Sequence, residues 1–146
     1  MAEAPAARRV LEIRIYELKP GTAEEFDRLV EGESVPMLRR HGIDVVAFGP
    51  SLHNEETYCL MRAYAGLKEL ERSEADFYGS DQWRLGPREA ILARIDRYAS
   101  IVIELDDVAI DALRQPTNTV RRSKSSSNAG QRQRSPENLM TIAWEG

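Results

Sequence analysis

The order in which two hydrophobic periods alternate along the chain limits its fold more than any other feature. Four segments have the composition and period of β-strands: residues 11–18, 43–52, 57–65 and 100–105. Helical periods lie between them over two stretches, residues 22–41 and 66–98, the second interrupted by a loop and a short turn after residue 77. The resulting order, β-α-β-β-α-β, predicts an α+β, ferredoxin-like fold: a four-stranded antiparallel sheet with both helices on one face.

Local signals set the expected ends and irregularities of the helices. Thr22 and Glu25 have the spacing of a capping box at the start of the first helix. Pro36 cannot donate a helical hydrogen bond, so a kink or break is expected near residues 32–36. Asp81 is the expected cap of a short turn that contains Trp83.

The 146 residues fall into two segments that differ in charge and composition. Residues 1–111 carry 14 basic and 22 acidic side chains, whereas residues 112–146 carry six basic and two acidic ones. The second part is dense in Ser, Arg, Gln and Asn and has few apolar side chains to bury. We therefore predict an N-terminal tail over residues 1–8, one folded domain over residues 9–110, and a disordered basic tail over residues 111–146.

Several classes of function have no support in the sequence. A single cysteine excludes an internal disulfide, and two widely spaced histidines make no metal-ligand cluster. The sequence shows no apolar run that could span a membrane and no secretory leader, so a cytoplasmic location is expected, without a membrane partner. Phosphate-binding glycine motifs are missing, so no cofactor is predicted, and the acidic body argues against nucleic acid as the main ligand.

Three further stretches follow one another along the chain: "RIYELKPG" (Arg14–Gly21), "LMRAYAGLKELE" (Leu60–Glu71) and "FYGSDQWRLGPREAIL" (Phe77–Leu92). Together they resemble the NIPSNAP family, a branch of the dimeric α/β-barrel proteins. The similarity covers about residues 9–105. It implies a homodimer in which two ferredoxin-like sheets pack face to face, helices outward, and enclose a cavity. It implies no catalytic residues, because the family has no agreed set that could be carried over.

The strands themselves agree with a dimer. The runs "VVAF", "YCLM" and "IVI" have no polar side to present to water. Helices on one face would leave the other face of such a sheet exposed, and a large exposed apolar patch marks an interface. A two-fold homodimer is the simplest way to cover it.

Four polar side chains on two strands are candidate ligand-binding residues. If Leu11, Ile13 and Ile15 face the helices, Arg14 and Tyr16 face the space between the sheets. Arg62 and Tyr64 share one face of the third strand. Convergence of Arg14, Tyr16, Arg62 and Tyr64 in that space would favour an anionic or carbonyl-bearing ligand.

A structural interpretation of the same residues stays open beside this one. Arg14 can instead form an internal ion pair with Glu12, Glu17 or Glu104 that only fixes the register of the dimer.

Two further residues complete the candidate site. His41, in the last turn of the first helix, is the best single candidate for acid–base catalysis, although a cation there also simply complements the helix dipole. Trp83 is either a hydrophobic lid or core residue or a surface on which a ligand stacks.

Two functions of different class are consistent with these observations. The first is a homodimeric α/β-barrel that binds a small organic molecule between its sheets, with cofactor-independent chemistry of a monooxygenase or isomerase type if it is an enzyme. The second is a non-catalytic dimeric scaffold or interaction protein with a filled barrel and a regulatory basic tail.

Overall fold

The computed structural model describes residues 7–115 and contains one antiparallel sheet of four strands. Its strands are β1 (Arg8–Leu18), β2 (Asp44–Pro50), β3 (Thr57–Tyr64) and β4 (Ile95–Asp106), in the spatial order β2-β3-β1-β4. This is the predicted ferredoxin-like arrangement, and the predicted fold class is confirmed. Residues 116–146 of the disordered tail that we predicted over residues 111–146, and residues 1–6 of the predicted N-terminal tail, lie outside the described residues.

The helical segment between β1 and β2 is broken where Pro36 predicts a break. Helix α1 (Ala23–Leu29) passes into a π-helical turn (Val30–Ser34) and then into α2 (Val35–Arg40). Proline has no N–H to donate, so the chain widens by a residue just before it.

The predicted capping box at the start of α1 is not formed. The Thr22 hydroxyl donates to the carbonyl oxygen of Lys19 at 2.8 Å and makes no cap bond to the helix. The hydroxyl thus closes the turn after β1 instead of capping the helix.

The segment between β3 and β4 contains three helices: α3 (Leu67–Tyr78), α4 (Asp81–Arg84) and α5 (Arg88–Ala93). Ser80, not Asp81, caps α4, because its side-chain oxygen accepts from the backbone N–H of Trp83. The last helix ends earlier than its apolar period suggests, and β4 begins at Ile95. Ladder pairing of Tyr98 with Tyr16 buries Tyr98 in a strand instead of a helix.

A helix of seven residues that sequence periodicity did not predict follows β4. In α6 (Asp107–Leu113), the Asp106 carboxylate caps the first turn by accepting from the N–H of Ala109 at 2.9 Å. Ile110 is fully buried on α6 and packs against Leu11. The ordered chain therefore continues past residue 110, where we placed the end of the folded domain.

The two faces of the sheet are covered unequally. Helices α1 to α5 and the main hydrophobic core lie on one face, which we call the helix side. On the opposite, open face α6 covers only one end, above Leu11 and Val46. Ile15 and Ile101 remain 37% and 56% exposed on that face. The open apolar face expected from the sequence is therefore present.

Candidate functional site

Four charged side chains are buried together on the helix side of the sheet. Glu12 and Arg14 project from β1, Arg62 from β3 and Glu74 from α3, and each is at most 5% exposed. Strand alternation puts Glu12 and Arg14 on one face, and the ladder sets Glu12 opposite Arg62. The sheet therefore supplies three of the four charges and the helix layer supplies the fourth.

These four side chains form a closed ring of ion pairs, called the charged ring below. Arg62 Nη2 lies 2.9 Å from Glu12 Oε1 and 3.0 Å from Glu74 Oε2. Arg14 reaches Glu12 Oε2 through Nε at 3.1 Å and Glu74 Oε1 through Nη2 at 3.3 Å. Each carboxylate thus contacts both guanidiniums, and the formal charges of the ring cancel when all four groups are ionised.

Aromatic side chains line the charged ring. The Tyr64 hydroxyl donates to Glu74 Oε2 at 2.8 Å, and Arg62 Nη1 donates to the Tyr78 hydroxyl oxygen at 2.8 Å. The Arg14 guanidinium lies 4.9 Å from the centre of the Tyr98 ring. Trp83 packs its buried ring edge to face with Tyr78, at 5.2 Å between centroids. The result is a polar centre with hydrogen-bonding and stacking groups around it.

The two carboxyl groups of the charged ring titrate in opposite directions. Burial raises the pKa of Glu12, but the nearby Arg62 and Arg14 outweigh burial and lower its pKa to about 2. Burial and the negative charge of Glu12 raise the pKa of Glu74 to about 7, against the pull of the guanidiniums. Glu74 is therefore able to exchange a proton near neutral pH, as a general acid or base requires.

The predicted site residues come together, but on the other side of the sheet. Arg14, Arg62 and Tyr64 belong to the charged ring or contact it, and Tyr16 packs on the same face against Phe26. The orientation that we predicted, toward a space between two sheets, is wrong. Alternation separates the two faces of a strand but does not say which face is covered by helices. Mutual pairing then permits charges on the covered face.

The structural alternative was correct for one of its three acidic partners. Arg14 pairs with Glu12, whereas Glu17 pairs with Arg97 at 3.4 Å and Glu104 lies 3.6 Å from Arg8. The pair lies inside the protomer and on the helix side, so it does not fix a register between sheets.

Sequence reasoning missed Glu74 and Tyr78, although α3 carries a signal for the first. Leu70, Glu74 and Phe77 have the spacing of one helix face, so a carboxylate interrupts an otherwise apolar stripe. A charge at such a position needs a buried partner. The two arginines on the facing strands are those partners.

His41 lies apart from the charged ring at the exposed end of α2. Its Nδ1 is 3.2 Å from the carbonyl oxygen of Met37, and its ring contacts Phe77 edge to face at 5.1 Å. These contacts are those of a residue that closes a helix, so the acid–base role that we expected for His41 passes to Glu74 in the proposal below.

Across residues 7–115, no group of three or more His, Cys, Asp or Glu side chains could hold a metal ion. In the same range, no helix has the length and apolar character needed to cross a bilayer.

The opposite pKa shifts predict a pH dependence of stability. A raised pKa in the folded state means that Glu74 contributes stability below its ordinary value of 4.5 and loses it as pH rises toward about 7. We expect the free energy of unfolding, measured by urea denaturation, to fall from pH 5 to pH 8 in the wild type and to fall less in Glu74→Gln.

The exposed Glu71 on the same helix supplies the control, because Glu71→Gln should keep the wild-type slope. Equal slopes for Glu74→Gln and the wild type would show that Glu74 does not titrate in this range.

Comparisons with known proteins agree with the architecture. No family model matches the chain, and no curated protein matches it. A NIPSNAP family protein of unknown function from Agrobacterium tumefaciens superposes with a TM-score of 0.63 at 19% identity, over 68% of this chain and 90% of that one. An uncharacterized NIPSNAP-like domain protein from Burkholderia xenovorans superposes with a TM-score of 0.60 at 17% identity, over 82% of this chain and 95% of that one.

A more distant neighbour has a named activity. A putative antibiotic biosynthesis monooxygenase from Nitrosomonas europaea superposes with a TM-score of 0.51 at 11% identity, over 73% of this chain and 96% of that one. At such identities the likeness concerns the fold. The resemblance read from three sequence stretches is thus confirmed at the level of structure: this chain has the ferredoxin-like fold of NIPSNAP family proteins.

Proposed function

We propose that this chain forms a homodimer through the open face of its sheet and binds a small anionic or carbonyl-bearing molecule at the charged ring. The chemistry proposed there is cofactor-independent proton transfer of an isomerase type. The observation that carries the proposal is a carboxyl group buried between two guanidiniums, whose pKa burial and the neighbouring Glu12 raise. The binding site thus moves from between the sheets to the helix side of each protomer.

The chemistry follows from the charges of the ring. Removal of a proton next to a carbonyl group leaves negative charge on the carbonyl oxygen, as an enolate. Glu74 is suited to exchange this proton with the substrate carbon, as a donor in its acid form when an enolate is bound, and Arg14 and Arg62 are suited to hold the oxygen by charge-assisted hydrogen bonds. The Tyr78 hydroxyl, already bonded to Arg62, is a further donor at the same place.

Access requires movement of the helix layer. Glu12, Arg14 and Arg62 are 3%, 2% and 0% exposed, so a ligand reaches them only when α3 or α4 shifts away from the sheet. Trp83, on the four-residue helix α4, lies over Tyr78 and acts as the lid in this proposal.

A second candidate, the non-catalytic dimeric scaffold, is favoured by one observation. Each of the four carboxylate oxygens of the ring already lies within ion-pair distance of an arginine of the ring. Such a ring needs no ligand and can serve only to orient β1, β3 and α3.

For the dimer, one substitution on the open face is decisive. Ile101 is 56% exposed there, and a glutamate would put a charge into a sheet-to-sheet interface. We expect light scattering to give a dimer for the wild type and a monomer for Ile101→Glu.

Leu85, which is 80% exposed on the helix side in the loop after α4, provides the matched control. Leu85→Glu should remain dimeric. A wild type that is monodisperse as a monomer at micromolar concentration would contradict the dimer.

For the ligand, a substitution that keeps the positive charge of an arginine but removes its planar guanidinium separates an effect on binding from an effect on folding. Lysine at position 14 retains the cation of Arg14 but not its fork, which contacts two carboxylates at once. From a panel of small carboxylates and β-keto acids, we expect at least one compound to raise the Tm of the wild type by several degrees and to have no such effect on Arg14→Lys.

Arg97→Lys is the control, because Arg97 pairs with Glu17 outside the ring and should keep the response. If no compound raises the Tm of the wild type and native mass spectrometry finds nothing bound to it, the scaffold is the correct function.

A further inference from the structure

Glu74 differs from the other three members of the charged ring in the kind of element that carries it. Glu12, Arg14 and Arg62 stand on two neighbouring strands whose ladder fixes their spacing. Glu74 is the one member that comes from a helix, so it can leave without disturbing the sheet. Its Oε1 lies 3.3 Å from Arg14 and its Oε2 3.0 Å from Arg62, so its carboxylate bridges the two guanidiniums. A bound carboxylate ligand would make the same contacts.

Charge counting gives the class of group that fits this position. Without Glu74, the sheet contributes two guanidiniums and one carboxylate, a buried net charge of plus one. A buried charge is stable only when it is paired, so the position requires one negative charge. A carboxylate or an enolate satisfies this requirement, whereas a phosphate dianion would leave an excess negative charge beside Glu12.

Protonation of Glu74 would weaken its attraction to Arg14 and Arg62 and so allow its side chain to move away from them. The groups that face it are Glu12 and Arg14 from β1 and Arg62 and Tyr64 from β3, and the Tyr78 hydroxyl from its own helix accepts from Arg62. In its acid form Glu74 no longer attracts the guanidiniums as an ion, so its separation from them costs less. The raised pKa of Glu74 supports this step, since the proton is available near neutral pH.

We propose that Glu74 is an internal stand-in for the ligand: a monocarboxylate ligand displaces the Glu74 side chain from Arg14 and Arg62 and takes its place. This inference rests on the proposed function and names the ligand class of the same site. The balance of the step is simple. The ligand enters as an anion, Glu74 takes one proton from solvent, and the net charge of the buried site does not change.

Acetate is the probe that tests the vacated position, because it is the fragment that Glu74→Ala removes. We expect sodium acetate at millimolar concentration to raise the Tm of Glu74→Ala by several degrees above the effect of sodium chloride at equal ionic strength. Glu71→Ala, on the exposed face of the same helix, should respond to the two salts alike. An equal response of Glu74→Ala to both salts would overturn the proposal.

A second measurement holds even if Glu74→Ala does not fold. Glutamine at position 74 imitates the protonated acid. For a carboxylate that stabilises the wild type, we expect the Kd of the wild type to rise about fivefold from pH 7 to pH 8, because a group with a pKa of about 7 must take up a proton. The Kd of Glu74→Gln should stay constant over this range and be the lower of the two at pH 8.

Failure of the inference and failure of the proposed function give different results. A carboxylate that binds the wild type and Glu74→Gln equally at both pH values does not displace Glu74, which overturns the inference and leaves ligand binding intact. A wild type that no compound of the panel stabilises contradicts the proposed function itself.

Discussion

Burial of four charges between the sheet and its helices is the constraint on which the rest of this structure depends. Each charge there depends on oppositely charged partners within the ring, because an unpaired buried ion costs several kcal/mol. The charged ring therefore ties the registers of β1 and β3 to the position of α3. A slip of one residue in β3 would turn Arg62 to the open face and leave two buried carboxylates, Glu12 and Glu74, with Arg14 alone.

The same constraint gives the two faces of the sheet different side chains. Charged and aromatic side chains fill the helix side, and the open face is left with aliphatic residues such as Ile15 and Ile101. Chemistry and assembly, as proposed here, thus use opposite faces. A ligand that opens the helix layer would therefore not need to disturb the proposed dimer.

Much of the fold was predictable from local signals, and the candidate site only in part. Strand and helix periods predict the topology, and Pro36 predicts the break that the structure has before α2. The start of β4 was missed because Tyr98 is buried in either a helix or a strand. The candidate residues Arg14 and Arg62 were correctly grouped but assigned to the wrong face. The face depends on which side the helices pack, a long-range property that alternation does not encode.

The central claim is that Glu74 titrates near neutral pH inside the charged ring. Carboxyl ¹³C NMR of the protein labelled at glutamate, with Glu74 assigned by comparison with Glu74→Gln, measures this directly. The account predicts a carboxyl signal of Glu74 with a midpoint near pH 7, as its raised pKa of about 7 requires. A Glu74 signal that titrates near pH 4.5, the ordinary value for glutamate, would contradict it.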